Sequence, residues 1–282
     1  MKTKIKPPIK LSDEQKNQLR STQLELLDEL DRFCKANGLT YYAFGGTLIG
    51  AVRHQGFIPW DDDLDVCMPK KDYDILIKKY DGNGKYEFKC PEKDLSCINY
   101  FGKLTKKNTK FVEYASQLYN PNEEIFIDVM PILPAPKYGK SIYKTARFWI
   151  LYSISKKCLK IKQLPNPYTK GNKKSFRHKI LDFFIGMILF WVWPSLARRV
   201  RRYYINHMHW ANSDAVWVGA SPRSIYKKEW FDGATYLTFE NRIMPAPLKY
   251  SEYLRAKFGD YMTPPDKKEQ SIDMHPICEF KS

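Results

Sequence analysis

Leu19, Leu26, Leu27, Leu30, Phe33 and Cys34 recur at helical spacing, which predicts an amphipathic first helix. Ser12-Asp-Glu-Gln15 supplies a capping box at its start, and Asn37-Gly38 a stop at its end. Thr40 to Phe44 is a short β-prone run halted by Gly45-Gly46. Thr47 to Arg53 then reads as a short helix. Asp63 to Met68 alternates polar and apolar, the pattern of a strand. Lys70 to Tyr80 returns to helical spacing through Tyr73, Ile75, Leu76 and Ile77. Further strands are predicted at 86–90, 98–104, 110–114 and 125–130, punctuated by Pro131, Pro134 and Pro136. Near the C-terminus a strand pair around 234–244 precedes a helix at 250–258.

Between these two patterned regions the character changes. Residues 138–210 hold Arg147-Phe-Trp-Ile150, Lys156-Lys157, Lys173-Lys174, the apolar run Phe183 to Leu196, and Arg198, Arg199, Arg201 and Arg202. This reads as a basic, aromatic, helical insertion. The apolar run falls short of the roughly 20 residues a membrane-crossing helix needs. Cations flanking an apolar helix instead suit the surface of an anionic membrane, with a buried helix as the plainer alternative. Residues 1–137 are then expected to form the catalytic core, and 211–282 its C-terminal part.

Composition adds a partner class. The chain of 282 residues carries 47 Lys and Arg against 31 Asp and Glu, a net charge of +16. That favours a polyanionic partner: nucleic acid, a membrane face or a phosphate-rich substrate. The six cysteines include no Cys-x-x-Cys pair, so reduced thiols in a cytosolic protein are expected rather than a zinc site. The N-terminal MKTKIKPPIK is basic with no apolar stretch behind it, unlike a secretory signal.

The chemistry concentrates in Gly45-Gly46-Thr47 and Asp61-Asp62-Asp63-Leu64-Asp65. On a strand, alternate residues share a face, so Asp61, Asp63 and Asp65 would point one way. Their spacing of roughly 6.6–6.8 Å lets carboxylates converge on one or two Mg²⁺ ions. Such a row is costly unless cations neutralise it. A solvated acidic turn is the alternative. A glycine pair opening a helix offers backbone N–H groups to phosphate, or is an ordinary turn. Arg53 and Lys103 are candidate phosphate partners, each with a surface cation as the alternative. Trp60, Tyr41 and Tyr42 could face a quaternary ammonium or belong to the core. His54 reads as structural, and the role of His275 is open.

The stretch Tyr42-Ala-Phe-Gly-Gly-Thr-Leu-Ile-Gly-Ala-Val-Arg-His-Gln-Gly-Phe-Ile-Pro-Trp-Asp-Asp-Asp-Leu-Asp-Val66 resembles the LicD family. The resemblance continues through Lys70 to Leu76, Phe126-Ile-Asp-Val-Met-Pro131 and Tyr253-Leu-Arg-Ala-Lys-Phe-Gly-Asp-Tyr-Met-Thr-Pro-Pro265. It implies an α+β, nucleotidyltransferase-like mixed sheet flanked by helices. It also implies transfer of a phospho-alcohol, usually phosphocholine from CDP-choline, to a sugar hydroxyl with release of CMP. By that resemblance Asp63 and Asp65 match the catalytic metal ligands, with Asp61 beside them and Asp128 the third carboxylate from a later strand. Gly45, Gly46, Thr47, Arg53, Lys103 and Trp60 are then the candidate substrate contacts. Mg²⁺, or Mn²⁺ in its place, is the expected cofactor.

The implied partners are a CDP-alcohol donor, a lipid-linked or polymeric glycan acceptor such as lipopolysaccharide or teichoic acid, and an anionic membrane surface. Nucleic acid is not expected, since no RNA-binding module is recognisable. The implied place is the cytoplasm, peripheral on the inner face of the plasma membrane. Two rivals remain. A metal-dependent glycosyltransferase would use Asp-x-Asp toward a nucleotide sugar, and a non-enzymatic membrane-surface adaptor would keep only the fold.

Overall fold

A computed structural model describes residues 6–7, 9–94, 97, 99, 101–114, 117, 120, 122–135, 213–218, 224–266, 270 and 277–280. The insertion expected at 138–210, its apolar run and His275 lie outside the described residues.

The chain opens with α1 (Asp13–Asn37), set by the two signals read from sequence. The Ser12 hydroxyl accepts the Gln15 N–H at 3.1 Å, and the Gln15 side chain accepts the Ser12 N–H at 3.0 Å. Gly38 ends the helix at φ +62, a conformation costly for other residues. Its apolar stripe buries Leu19, Leu26 and Leu30 at 1 % exposure or less. Full burial of each such leucine is worth roughly 1.5–3 kcal/mol.

One mixed sheet carries the site. Its strands are β1 (Tyr42–Ala43), β2 (Asp65–Pro69), β3 (Tyr86–Lys89), β4 (Gly102–Lys106), β6 (Phe126–Pro134), β7 (Ala215–Val218) and β8 (Ile225–Lys227). They run in the order β1-β2-β6-β4-β3, with β7 on the far half of β6 and β8 beyond it. Only β2 and β6 are parallel. Two helices cross over: α2 (Gly45–His54) between β1 and β2, and α3 (Lys70–Lys79) directly after β2. α1 packs over β4 and β6, and α3 over β2 and β6.

A separate hairpin, β9 (Ala234–Phe239) with β10 (Arg242–Pro247), leads into α4 (Tyr250–Phe258). β5 (Thr109–Val112) pairs with β11 (Ile277–Phe280). The expected α+β, mixed-sheet architecture is the observed one. β7, β8 and β11 carried no sequence prediction. The strand predicted from residue 98 begins at Gly102, where Phe88 lies across the backbone: a Cβ on Gly102 would sit 2.3 Å from that ring. Among the described residues Cys34, Cys67, Cys90 and Cys97 are free thiols.

Glu25 ties α1 to the β3–β4 edge. It meets Lys106 at 2.7 Å and Lys85 at 2.6 Å, and accepts the Tyr86 hydroxyl at 2.6 Å. Burial pushes its carboxyl up, but the hydrogen bonds from Lys106, Lys85 and Tyr86 outweigh burial and hold it at about 2. A carboxylate held below its ordinary value stabilises the fold above that value and stops doing so as acid protonates it. Glu25→Gln is therefore expected to lower the melting temperature at pH 7. The gap from wild type should close as pH falls from ~4.3 toward 2. Thermal melts of both proteins across that range check it; a gap that holds constant would contradict the network.

Candidate active site

The site forms where β2 and β6 run side by side. Their register sets Asp65 opposite Asp128, and the antiparallel β4 sets Lys103 opposite Asp128 in turn. Lys89 of β3 pairs with Lys103. Registered partners share a sheet face. The face therefore carries one charged row across four strands: Asp65, Asp128, Lys103, Lys89.

Asp61 and Asp63 arrive differently from the sequence expectation. β2 begins only at Asp65, so residues 61–64 precede the strand and strand alternation does not align them. A loop lying along α2 brings Asp61 in instead. A Cβ on Gly46 would stand 2.5 Å from Asp61 Oδ2, and one on Gly45 2.8 Å from Asp65 Oδ2. Gly45 also holds φ +56. The glycine pair is thus required by the two carboxylates that rest against it. α1 fixes this loop from behind. The Arg20 guanidinium donates to the carbonyls of Ile58 and Pro59, both at 3.0 Å, and of Asp61 at 3.3 Å. The fully buried Gln23 donates to the carbonyl of Asp62 at 2.8 Å.

The carboxylates are poorly compensated. Burial pushes Asp61 up to about 8, helped by Asp63 and Asp62. Burial also raises Asp65, with Asp63 and Asp128 adding repulsion and Lys257 opposing it. Asp128 is raised by burial against the pull of Lys103. Its Oδ1 is buried without a hydrogen-bond partner and stands 3.9 Å from Lys103 Nζ. Carboxylates buried in this way are hard oxygen donors, the kind that suits Mg²⁺. Among the described residues, no three His, Cys, Asp or Glu side chains are already gathered around one metal position.

The other expected contacts fall in several places. Thr47 is buried, and its hydroxyl accepts the Asp65 N–H at 2.8 Å, tying α2 to the start of β2. Lys103 is a buried cation rather than a surface one. It bonds Glu123 at 2.9 Å and Glu113 at 3.0 Å, over the Phe126 ring. Burial alone would pull its pKa down, yet Glu113, Asp128 and Glu123 together raise it.

Arg53 ends α2, away from the glycines. It donates to His54 Nε2 at 2.9 Å and to the Tyr261 carbonyl at 2.8 Å, beside the half-buried Trp60. Tyr41 and Tyr42 are core residues, their hydroxyls donating to Asp31 and to the Phe231 carbonyl.

Four residues that sequence reasoning missed also shape the site: Arg20, Gln23, Tyr253 and Lys257. The signal for Gln23 was present, a polar residue on the apolar stripe of α1. Tyr253 accepts the Gly45 N–H at 3.3 Å and stacks on Phe44 at 5.1 Å.

Comparison with known proteins points to one family. The model of the LicD/FKTN/FKRP nucleotidyltransferase domain matches residues 38–160. The lipopolysaccharide cholinephosphotransferase LicD of Haemophilus influenzae is 28% identical over 264 residues, covering 89% of this chain and 94% of that protein. An uncharacterised protein of Rickettsia prowazekii, RP689, is 30% identical over 142 residues, 46% of this chain and 53% of its own. Mannosyltransferase regulator 4 of Saccharomyces cerevisiae is 23% identical over 83% of this chain, which spans only 19% of it.

Two stability measurements test the electrostatics. Asp65→Asn removes a buried like charge, so in EDTA it is expected to raise the melting temperature by ~2–4 °C per kcal/mol of repulsion relieved. A lower melting temperature would mean the carboxylate is compensated. Lys103→Met leaves Glu113, Glu123 and Asp128 without their shared cation. It should cost about 3–5 kcal/mol in urea unfolding, whereas a lysine held out for substrate would cost almost nothing.

Proposed function

As this chain belongs to the LicD family of nucleotidyltransferase-like proteins, we propose that it transfers a phospho-alcohol from a CDP-alcohol to a glycan hydroxyl, with phosphocholine from CDP-choline as the first choice. The observation that carries this is the placing of Asp65 beside Asp128 on the two parallel strands, with Asp61 and Asp65 resting against the glycines that open α2. A helix N-terminus and a carboxylate set side by side are what a nucleoside diphosphate with its magnesium requires.

In this reading the acceptor oxygen attacks the phosphorus that bears the alcohol. The bond from that phosphorus to the CMP oxygen breaks, and CMP departs with the electron pair. Asp61, Asp63, Asp65 and Asp128 would hold Mg²⁺, which supplies charge neutralisation for the diphosphate and the leaving CMP. Asp128 either takes the acceptor's proton or completes the metal site; its buried Oδ1, without a hydrogen-bond partner, is open to either role. Gly45 and Gly46 leave room for the carboxyl groups of Asp61 and Asp65 at the α2 N-terminus, where those groups would hold the metal beside the phosphates. Thr47 and Arg20 act through the backbone, fixing Asp65 and the acidic loop. The half-buried Trp60, beside Arg53 and His54, is a candidate to meet the nucleoside or the alcohol.

The acceptor is proposed to be a surface glycan or its lipid-linked precursor, met at the inner face of the plasma membrane, with residues 138–210 as the docking insertion. No helix among the described residues is long and apolar enough to cross a membrane.

The test is CMP release from a panel of CDP-alcohols and nucleotide sugars, with Mg²⁺ or EDTA and a membrane-lipid acceptor extract. Magnesium-dependent release from CDP-choline, lost by at least ~100-fold in Asp63→Asn, is expected. Release from a different CDP-alcohol would keep the mechanism and change the cargo. Turnover of a nucleotide sugar alone would replace the reading with glycosyl transfer.

A further inference from the structure

Lys257 stands beside the carboxylates and has no part in the roles above. It lies in the last turn of α4, one turn beyond Tyr253, and residues four apart share a helix face. Tyr253 plants that face against the start of α2 through its bond to Gly45 and its stacking on Phe44. The Lys257 ammonium follows it there, 4.6 Å from the centre of the Phe44 ring and 5.9 Å from that of Tyr253. Phe44 is the N-cap of α2, and its N–H donates to the Asp65 carbonyl at 3.1 Å. The lysine therefore sits at the junction of the glycine turn and the first catalytic strand.

Its charge is held differently from that of the other cations nearby. Lys103 is bonded to Glu113 and Glu123, and Arg53 to His54 and a carbonyl. Lys257 rests on the ring faces of Phe44, Tyr253 and Phe258, contacts that stabilise an ammonium without occupying its N–H donors. The C-terminal end of α4 favours a positive charge there as well. The site needs such a group. Four carboxylates repel a diphosphate, and a bound divalent ion offsets only part of their charge.

We propose that Lys257 binds the diphosphate of a nucleoside diphosphate donor at the N-terminus of α2. This rests on the reading given under Proposed function and adds the residue that grips the donor's phosphates. The side chain would leave its aromatic seat to donate to phosphate oxygens, a charge-assisted contact that neither a methionine nor a glutamine can supply.

Calorimetric titration of CDP in Mg²⁺ tests it on the full chain, with cytidine as the phosphate-free control. Wild type is expected to bind CDP, Lys257→Met to bind it about tenfold or more weakly, and Lys257→Arg to recover most of the affinity. Thermal melts of the variants, run in parallel, separate a loss of donor binding from a loss of fold. Equal CDP affinity in Lys257→Met and wild type would overturn the inference while leaving the proposed function standing. Failure of wild type itself to bind CDP would overturn the donor class, and this inference with it. Should Lys257→Met fold poorly, Lys257→Gln against Lys257→Arg decides: equal affinity overturns the role, and loss only in the glutamine variant supports it.

Discussion

Buried carboxylates of like charge repel, and the register of β2 with β6 forces two of them together. Asp65 and Asp128 are neighbours because parallel strands place equivalent residues side by side, and no side-chain rotation separates their backbones. Much of the surrounding structure answers that repulsion. Lys103 approaches Asp128 from the next strand. The glycine pair gives the carboxyl groups of Asp61 and Asp65 room where a methyl group would collide with both. Helix α2 turns its positive end toward the same point. Carboxylates brought together in this way are destabilising unless positive charge offsets them.

The supports come from distant parts of the chain. Arg20 and Gln23 reach the acidic loop from α1, some forty residues earlier in sequence. Tyr253 and Lys257 reach the glycine turn from α4, about two hundred residues later. The acidic loop has no regular hydrogen-bond ladder of its own, so its geometry depends on these borrowed donors. Loops that carry chemistry are commonly positioned in this way by a rigid frame.

Local signals made the helices legible. The capping box at Ser12 and the stop at Gly38 bound α1 as read, because caps are made by residues close in sequence. The acids of the site were legible by their density between residues 61 and 65, and Asp128 by its motif. A common face for Asp61, Asp63 and Asp65 is what strand alternation predicts, but β2 begins only at Asp65. A loop pinned by Arg20 brings Asp61 in instead. The burial of Lys103 was hidden as well, since its partners Glu113 and Glu123 lie on segments whose approach only the tertiary fold decides. Short strands such as β7 and β8 carry no period long enough to detect.

The sheet is sealed at the place where the chain leaves it and returns. Ala135 N–H donates to the Ala215 carbonyl at 3.0 Å, and the Ser213 hydroxyl donates to the Ala135 carbonyl. Ala135 thus meets Ser213 and Ala215 in one clasp of hydrogen bonds. The entropy of closing a segment grows only with the logarithm of its length. The clasp therefore holds Ala135 to Ser213, 78 residues away in sequence, at a cost that chain length raises only slowly. A few main-chain and hydroxyl bonds therefore tie down the end of β6, the strand that carries Asp128 further up.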